Sequence, residues 1–195
     1  ISVVGIGGGL QHLAKDKKSS WGFSANYTNL ILAFNVIKQK QDYFKIPVVV
    51  DGDVNFRFKT KGGGIIKLYS YFSKTNVGNR TNDIDSAGMK NAFTLQNVNQ
   101  YHNISWKQPL KNKWKINTGI SYSTNKDDIG NELQNANNVK QIITTPAFYA
   151  FKNFSLSTHA DFLQNRIVLE KKLNGLSAIR FGTELSHSNE KSAYT

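Results

Sequence analysis

The chain has 195 residues, no Cys, 25 Lys plus Arg against 13 Asp plus Glu, and a net charge of +12. The lack of Cys excludes disulfide frameworks, thiolate metal sites and thiol nucleophiles. No apolar run approaches the ~20 residues that a membrane-spanning helix needs, so any crossing of a membrane has to be made by strands.

The sequence opens at Ile1 with no charged segment leading into an apolar one, which predicts no signal peptide and a fragment or processed chain. Eight stretches then read as β-strands, over about 3–14, 20–29, 51–60, 64–74, 92–106, 113–125, 153–171 and 176–189. Within each consecutive pair the connection is short and rich in Lys, Gly or Asn: 15–19, 61–63, 107–112 and 172–175. Between pairs it is long and polar: 30–50, 75–91 and 126–152. Short turns on one rim and long loops on the other mark an antiparallel up-and-down meander of an outer-membrane β-barrel. A short helix is allowed only in 30–43.

The alternation within the strands supports this. In the second strand Trp21, Phe23, Ala25 and Tyr27 oppose Gly22, Ser24, Asn26 and Thr28. In the third, Val54, Phe56 and Phe58 oppose Asn55, Arg57 and Lys59. In the fourth, Ile66, Leu68 and Phe72 oppose Lys67, Tyr69 and Tyr71. In the sixth, Trp114, Ile116, Thr118, Ile120 and Tyr122 oppose Lys115, Asn117, Gly119, Ser121 and Ser123. In the eighth, Ile179, Phe181, Thr183 and Leu185 oppose Arg180, Gly182, Glu184 and Ser186. A period of two with one apolar face is the mark of a sheet. The polar face fits solvent or a wet barrel lumen equally. The glycines at 5 and 7–9 leave the first strand without a readable face, and the fifth holds two conflicting frames that a bulge would reconcile. All three Trp lie beside short turns, as in an interfacial aromatic girdle.

The basic balance raises nucleic-acid binding, but its distribution argues against it. Lys15, Lys17, Lys18, Lys61, Lys107, Lys111 and Lys172 gather at the short turns. The acids Asp42, Asp51, Asp53, Asp83, Asp85, Asp127, Asp128 and Glu132 gather in or beside the long connections. The asymmetry separates two ends of a sheet and forms no groove-sized stripe.

SWGFSANYTNL (20–30) with VIKQKQDYFKIP (36–47), GGGIIKLYSYFSKTNVG (62–78), KWKINTGISYSTNKDDI (113–129) and LEKKLNGLSAIRFGTE (169–184), in this order and spacing, resemble the barrel of TonB-dependent outer-membrane receptors. The resemblance spans about 5–190. It implies a bacterial outer-membrane location and a larger barrel completed by further strands. It also implies an N-terminal plug domain and a TonB complex as partners, neither recognisable in this sequence. The implied activity is import of a scarce nutrient: a metal chelate, vitamin, glycan or peptide. A small complete eight-stranded barrel for anchoring or adhesion and a soluble lipocalin-like ligand-binding barrel stand as alternatives.

The residues expected to face the lumen are Arg57, Lys67, Lys115, Asn117, Arg166, Glu170, Arg180 and Glu184. Ion pairs of Arg166 and Glu170 with Arg180 and Glu184 across neighbouring strands are their favoured role, ahead of plug or ligand contacts. Ligand contacts are expected in the long loops, from Tyr43, Phe44, Asn79, Arg80, Asp83, Asp85, Asp127, Asp128 and Glu132. No Ser–His–Asp order or carboxylate pair signals an enzyme, and no cofactor is implied. The glycines before Gln11 lack the following helix of a phosphate loop. His12, His102, His159 and His187 lack ligand spacing, and solvated loop acids are favoured over a calcium site.

Overall fold

The computed structural model describes residues 4–195. The expected start of the first strand at residue 3 lies outside them. One antiparallel sheet carries eight strands in sequence order: β1 (Gly5–Leu13), β2 (Ser19–Asn29), β3 (Asp42–Lys59), β4 (Ile65–Asn82), β5 (Lys90–Pro109), β6 (Trp114–Gln134), β7 (Phe154–Lys172) and β8 (Ala178–Tyr194). Among the described residues β1 and β8 do not pair, so the sheet is open.

The short turns share one construction. Ala14 N donates to Ser19 O (3.0 Å), Thr60 N to Gly64 O (2.9 Å), Leu110 N to Trp114 O (2.8 Å) and Leu173 N to Ser177 O (2.9 Å). Each loop includes a left-handed residue: Lys17, Gly63, the Asn112–Lys113 pair or Gly175. At Gly63 and Gly175 the lack of a Cβ removes the steric cost of that conformation.

The long connections are shorter than expected, because β3 begins at Asp42, β4 runs to Asn82, β5 begins at Lys90 and β6 runs to Gln134. Polar residues continue these ladders. Asn97 Nδ2 donates to Asn125 Oδ1 (2.7 Å) and to Asp127 Oδ1 (2.6 Å). A backbone ladder requires no apolar side chain, so alternation stops where pairing does not. The connection after β2 holds the short helix α1 (Ile31–Val36), whose Ile31 N–H donates to Asn29 Oδ1 (3.0 Å). The connection after β6 ends in a 3₁₀ turn, Ala147–Lys152.

β5 contains no bulge: its registers with β4 and β6 are unbroken from end to end. Both sequence frames are real and lie on opposite faces. The irregularity sits instead in β3 between Tyr43 and Val48, around Pro47, where a residue without an N–H cannot serve a regular ladder.

Register assigns every strand a face. One row joins Trp21, Phe56, Leu68, Ile104, Ile120, Asn165 and Leu185. The next toward the short turns joins Phe58, Ile66, Trp106, Thr118, Ile167 and Thr183. Pairing also resolves β1, placing Ile6, Leu10 and His12 opposite Tyr27, Phe23 and Trp21 on this same face. The apolar face is thus continuous across all eight strands, and nothing among the described residues covers it: Phe23, Phe58, Ile104, Ile120, Ile167 and Phe181 are all exposed. The accessible surface is 13399 Å². A compact monomer of this mass would expose about 9,300 Å². The only buried apolar side chains among the described residues, Ala92, Leu133 and Tyr149, lie at the long-connection end.

Candidate functional site

The polar face brings together all the residues expected there. Arg57 pairs with Lys67, and their row continues through Ser105 and Gly119 to Arg166 and Glu184. Lys115, Glu170 and Arg180 share another row, and Asn117 sits between the two, opposite Lys107 and Val168. The favoured ion pairs form. Arg180 Nη2 donates to Glu170 Oε2 (2.6 Å), Lys115 Nζ reaches Glu170 Oε1 (3.2 Å), and Arg166 lies 3.8 Å from Glu184. Arg57 and Lys67 face one another as like charges and have no acid partner among the described residues. Higher on the same face lie Asp51, Asp53, Tyr71, Tyr101, Asn99 and Asn125. The polar face is therefore cationic toward the short turns and amide-rich and acidic toward the long connections.

Only Asp83 and Asp85 of the expected loop residues lie in a loop. Tyr43 and Phe44 belong to β3, Asn79 and Arg80 to β4, and Asp127, Asp128 and Glu132 to β6. These seven sit on strands because β3, β4 and β6 continue as polar ladders into sequence with the composition of a loop. Arg80 stacks on the Phe44 ring at 4.3 Å, donates from Nε to Gln134 Oε1 (2.8 Å) and meets Asp42 at 3.5 Å. Phe34 of α1 packs on Tyr43 with ring centres 5.0 Å apart. Asn79 pairs with Tyr43 and Phe93. Asp128 accepts from Ser157 Oγ (2.7 Å), and Glu132 meets Lys140 (3.5 Å). A cleft of about 580 Å³ opens between these strand ends, lined by Phe44, Lys45, Glu132, Gln134, Lys140 and Asn153.

Asp83 and Asp85 join residues that no pattern in the sequence singles out. The Asp83 side chain is fully buried and holds the backbone N–H groups of Asp85 (2.7 Å) and Ser86 (3.0 Å) and Asn91 Nδ2 (3.0 Å). Lys152 arrives from the 3₁₀ turn to contact Asp83 and Asp85, the latter at 2.6 Å. Tyr149 from the same turn donates its hydroxyl to Asp85 O (3.2 Å) and meets Ser86. Asn131 Nδ2 donates to Lys152 O (2.5 Å), and Asn153 Oδ1 accepts from Leu133 N (3.0 Å). This network latches the β6–β7 connection onto the β4–β5 connection, between segments almost 70 residues apart.

Burial opposes ionisation of Asp83, but bonds from Lys152, from the Asp85 N–H and from Asn91 outweigh it and hold its carboxyl below the ordinary 3.8. Burial likewise disfavours charged Lys152, yet Asp83 and Asp85 raise it above 10.5. Asp83 binds its proton less readily folded than unfolded, so its contribution is full above the ordinary value and disappears as pH falls through the lower folded one. Lys152 contributes below its ordinary value, and its contribution is lost as pH rises through the raised one. The latch should therefore be at full strength from about pH 4 to 10 and weaken progressively outside those limits. Lys152→Met should release it at neutral pH, at a cost of about 1–3 kcal/mol for the stranded carboxylate. Amide exchange at 83–86 and 147–152 measures both effects, and unchanged protection in the variant would refute the latch.

Among the described residues no group of three His, Asp or Glu could hold a metal ion.

No protein-family model matches the sequence, and a search among curated proteins finds no match. Among solved structures, the sheet matches the ferric yersiniabactin uptake receptor FyuA from Yersinia pestis, with a TM-score of 0.60 at 9% identity. What the match shows is the fold: eight up-and-down strands laid out as in an outer-membrane barrel. It covers 95% of this chain and 33% of that receptor, so the chain spans a third of its length.

Proposed function

We propose that the chain is part of the barrel of a bacterial outer-membrane receptor that imports a scarce nutrient by TonB-dependent transport. The observation that carries this is the continuous, uncovered apolar face opposite a charged, polar one across eight strands. A soluble lipocalin-like barrel would have to cover its apolar side chains with its own chain, and here only three such residues are buried among those described. A complete eight-stranded barrel would pair β1 with β8. Lipid on the apolar side removes the exposure without any further protein, and the opposite face then lines the lumen. The open edges of β1 and β8 call for neighbouring strands.

On this reading a plug domain sits against the lumen face and the TonB complex supplies energy. The unpaired Arg57 and Lys67 are available to the plug or to cargo. The match to an iron-chelate uptake receptor supports transport as the activity, while the cargo class stays open among metal chelate, vitamin, glycan and peptide. We assign no enzymatic role, cofactor or nucleic-acid partner. Site-directed labelling of the full-length protein in outer membranes tests the topology. Single cysteines at 36–40 and 136–138 should react with an impermeant maleimide on intact cells, and cysteines at 16 and 174 only after the membrane is opened. The reverse pattern would invert the barrel, and labelling of all four sites in a soluble fraction would end the membrane reading.

A further inference from the structure

Resting on that membrane reading, the short-turn rim has a further property. Lys15, Lys17 and Lys18 occupy the first turn, Lys61 the second, Lys111 and Lys113 the third and Lys172 the fourth, and all seven are exposed. None of them takes part in an ion pair among the described residues. The two acids at this end are already engaged. Asp16 Oδ1 accepts from the backbone N–H of Lys18 (2.9 Å), and Glu170 is held by Arg180 and Lys115. Four such turns stand side by side along eight strands, a rim about 34 Å long at the spacing of a sheet. Packing this many like charges together without counter-charge costs free energy unless an anionic partner lies alongside.

The position of the lysines says which partner. They lie just past the apolar band, next to Trp21, Trp106 and Trp114, which all belong to the apolar face. Lys171 lies over the Trp114 ring at 5.3 Å, and Trp114 meets Phe181 edge-on at 5.8 Å. An aromatic residue under a lysine at the margin of a lipid-facing band is positioned where headgroup phosphates lie. We propose that the short-turn rim is a binding surface for the headgroups of anionic phospholipids in the leaflet it enters.

The test uses the full-length protein reconstituted in phosphatidylcholine vesicles. Electron spin resonance compares how strongly spin-labelled phosphatidylglycerol and phosphatidylcholine associate with its surface. A relative preference of about three-fold or more for phosphatidylglycerol is expected, falling toward one in about 0.5 M NaCl. In the variant with Lys15, Lys18, Lys61, Lys111 and Lys172 changed to Gln and Lys17 and Lys113 to Asn, the preference should disappear. Asn suits the left-handed backbone at those two positions. A second variant, Lys38→Gln, Lys40→Gln and Lys140→Gln at the opposite rim, should retain the preference, and a folded-state gel shift verifies insertion of each protein. Insertion without lipid preference would overturn the proposal alone and assign the lysines to an acidic protein on that side. Failure of the unmodified protein to insert would overturn the barrel reading and the proposal together.

Discussion

Ile120→Arg in the full-length protein should destabilise the inserted state by about 2 kcal/mol or somewhat more, within the ~2–4 kcal/mol range for a cation on the lipid face of a barrel. Ile120 shares its row with Trp21, Phe56, Leu68 and Ile104 and faces the uncharged Asn165, so the arginine would enter a surface with no acid in its row. It lies two residues above Thr118, the middle of the stretch from Trp114 to Tyr122, which places the cost toward the lower end. Ser121→Arg, one residue along, should be much milder. Its side chain lies on the other face beside Asn103 and Gln164, where a crevice of about 230 Å³ can accept the longer chain. Urea unfolding from vesicles, followed by Trp fluorescence, gives both costs. Equal costs would mean that the two faces do not differ in environment.

Excising 135–139 and closing the gap with two glycines should impair uptake while leaving the barrel folded. The boundary matters. Asn131 to Gln134 belong to β6, with Leu133 completely buried and Asn131 holding the latch, so a cut through them would damage the scaffold. Residues 135–139 form their own turn, in which Asn135 Oδ1 accepts from Asn137 N and Val139 N, both at 3.0 Å. If that turn supplies one or two ligand contacts, apparent affinity falls by on the order of ten- to a hundredfold, at about 1.4 kcal/mol per factor of ten. Binding and uptake on whole cells would register the loss. Unchanged uptake, together with loss of uptake on substitution of the lysine turns, would place the ligand at the other rim.

The halves of the strands near the short turns were legible because an apolar face opposite a polar one imposes alternation, and alternation is visible in Trp21–Tyr27 or Trp114–Tyr122. β7 was legible almost from end to end, but the long-connection ends of β3, β4 and β6 were not. At those ends the alternation lapses while the pairing does not, and Asn76, Asn79, Asp127 and Asn131 continue the ladder in the composition of a loop. The charged rows of the polar face were legible for a related reason: a period of two fixes which charges share a face, and short turns fix which strands adjoin. The latch left no local trace. Lys152 and Asp83 meet because two connections fold toward each other, and no pattern within either segment encodes that approach.

The apolar band does not stay level with the rows of paired residues. At its upper limit Val48 of β3 lies in one row with Asn76, Gln96, Asp128, Ser157 and Ala193, yet on β8 the band ends about eight residues lower, at Leu185. At its lower limit Phe58 shares a row with Thr183, and on β8 the band continues about four residues further, to Ile179. On the proposed membrane reading the bilayer is flat, so the strands must be inclined to make the band flat. Slips of about 27 Å and 14 Å along the chain, across about 24 Å of sheet, correspond to inclinations of about 48° and 30°. Their mean is close to the ~35–45° at which outer-membrane strands close a cylinder. The slope of a hydrophobic margin, counted in residues, thus measures the angle at which the wall crosses the membrane.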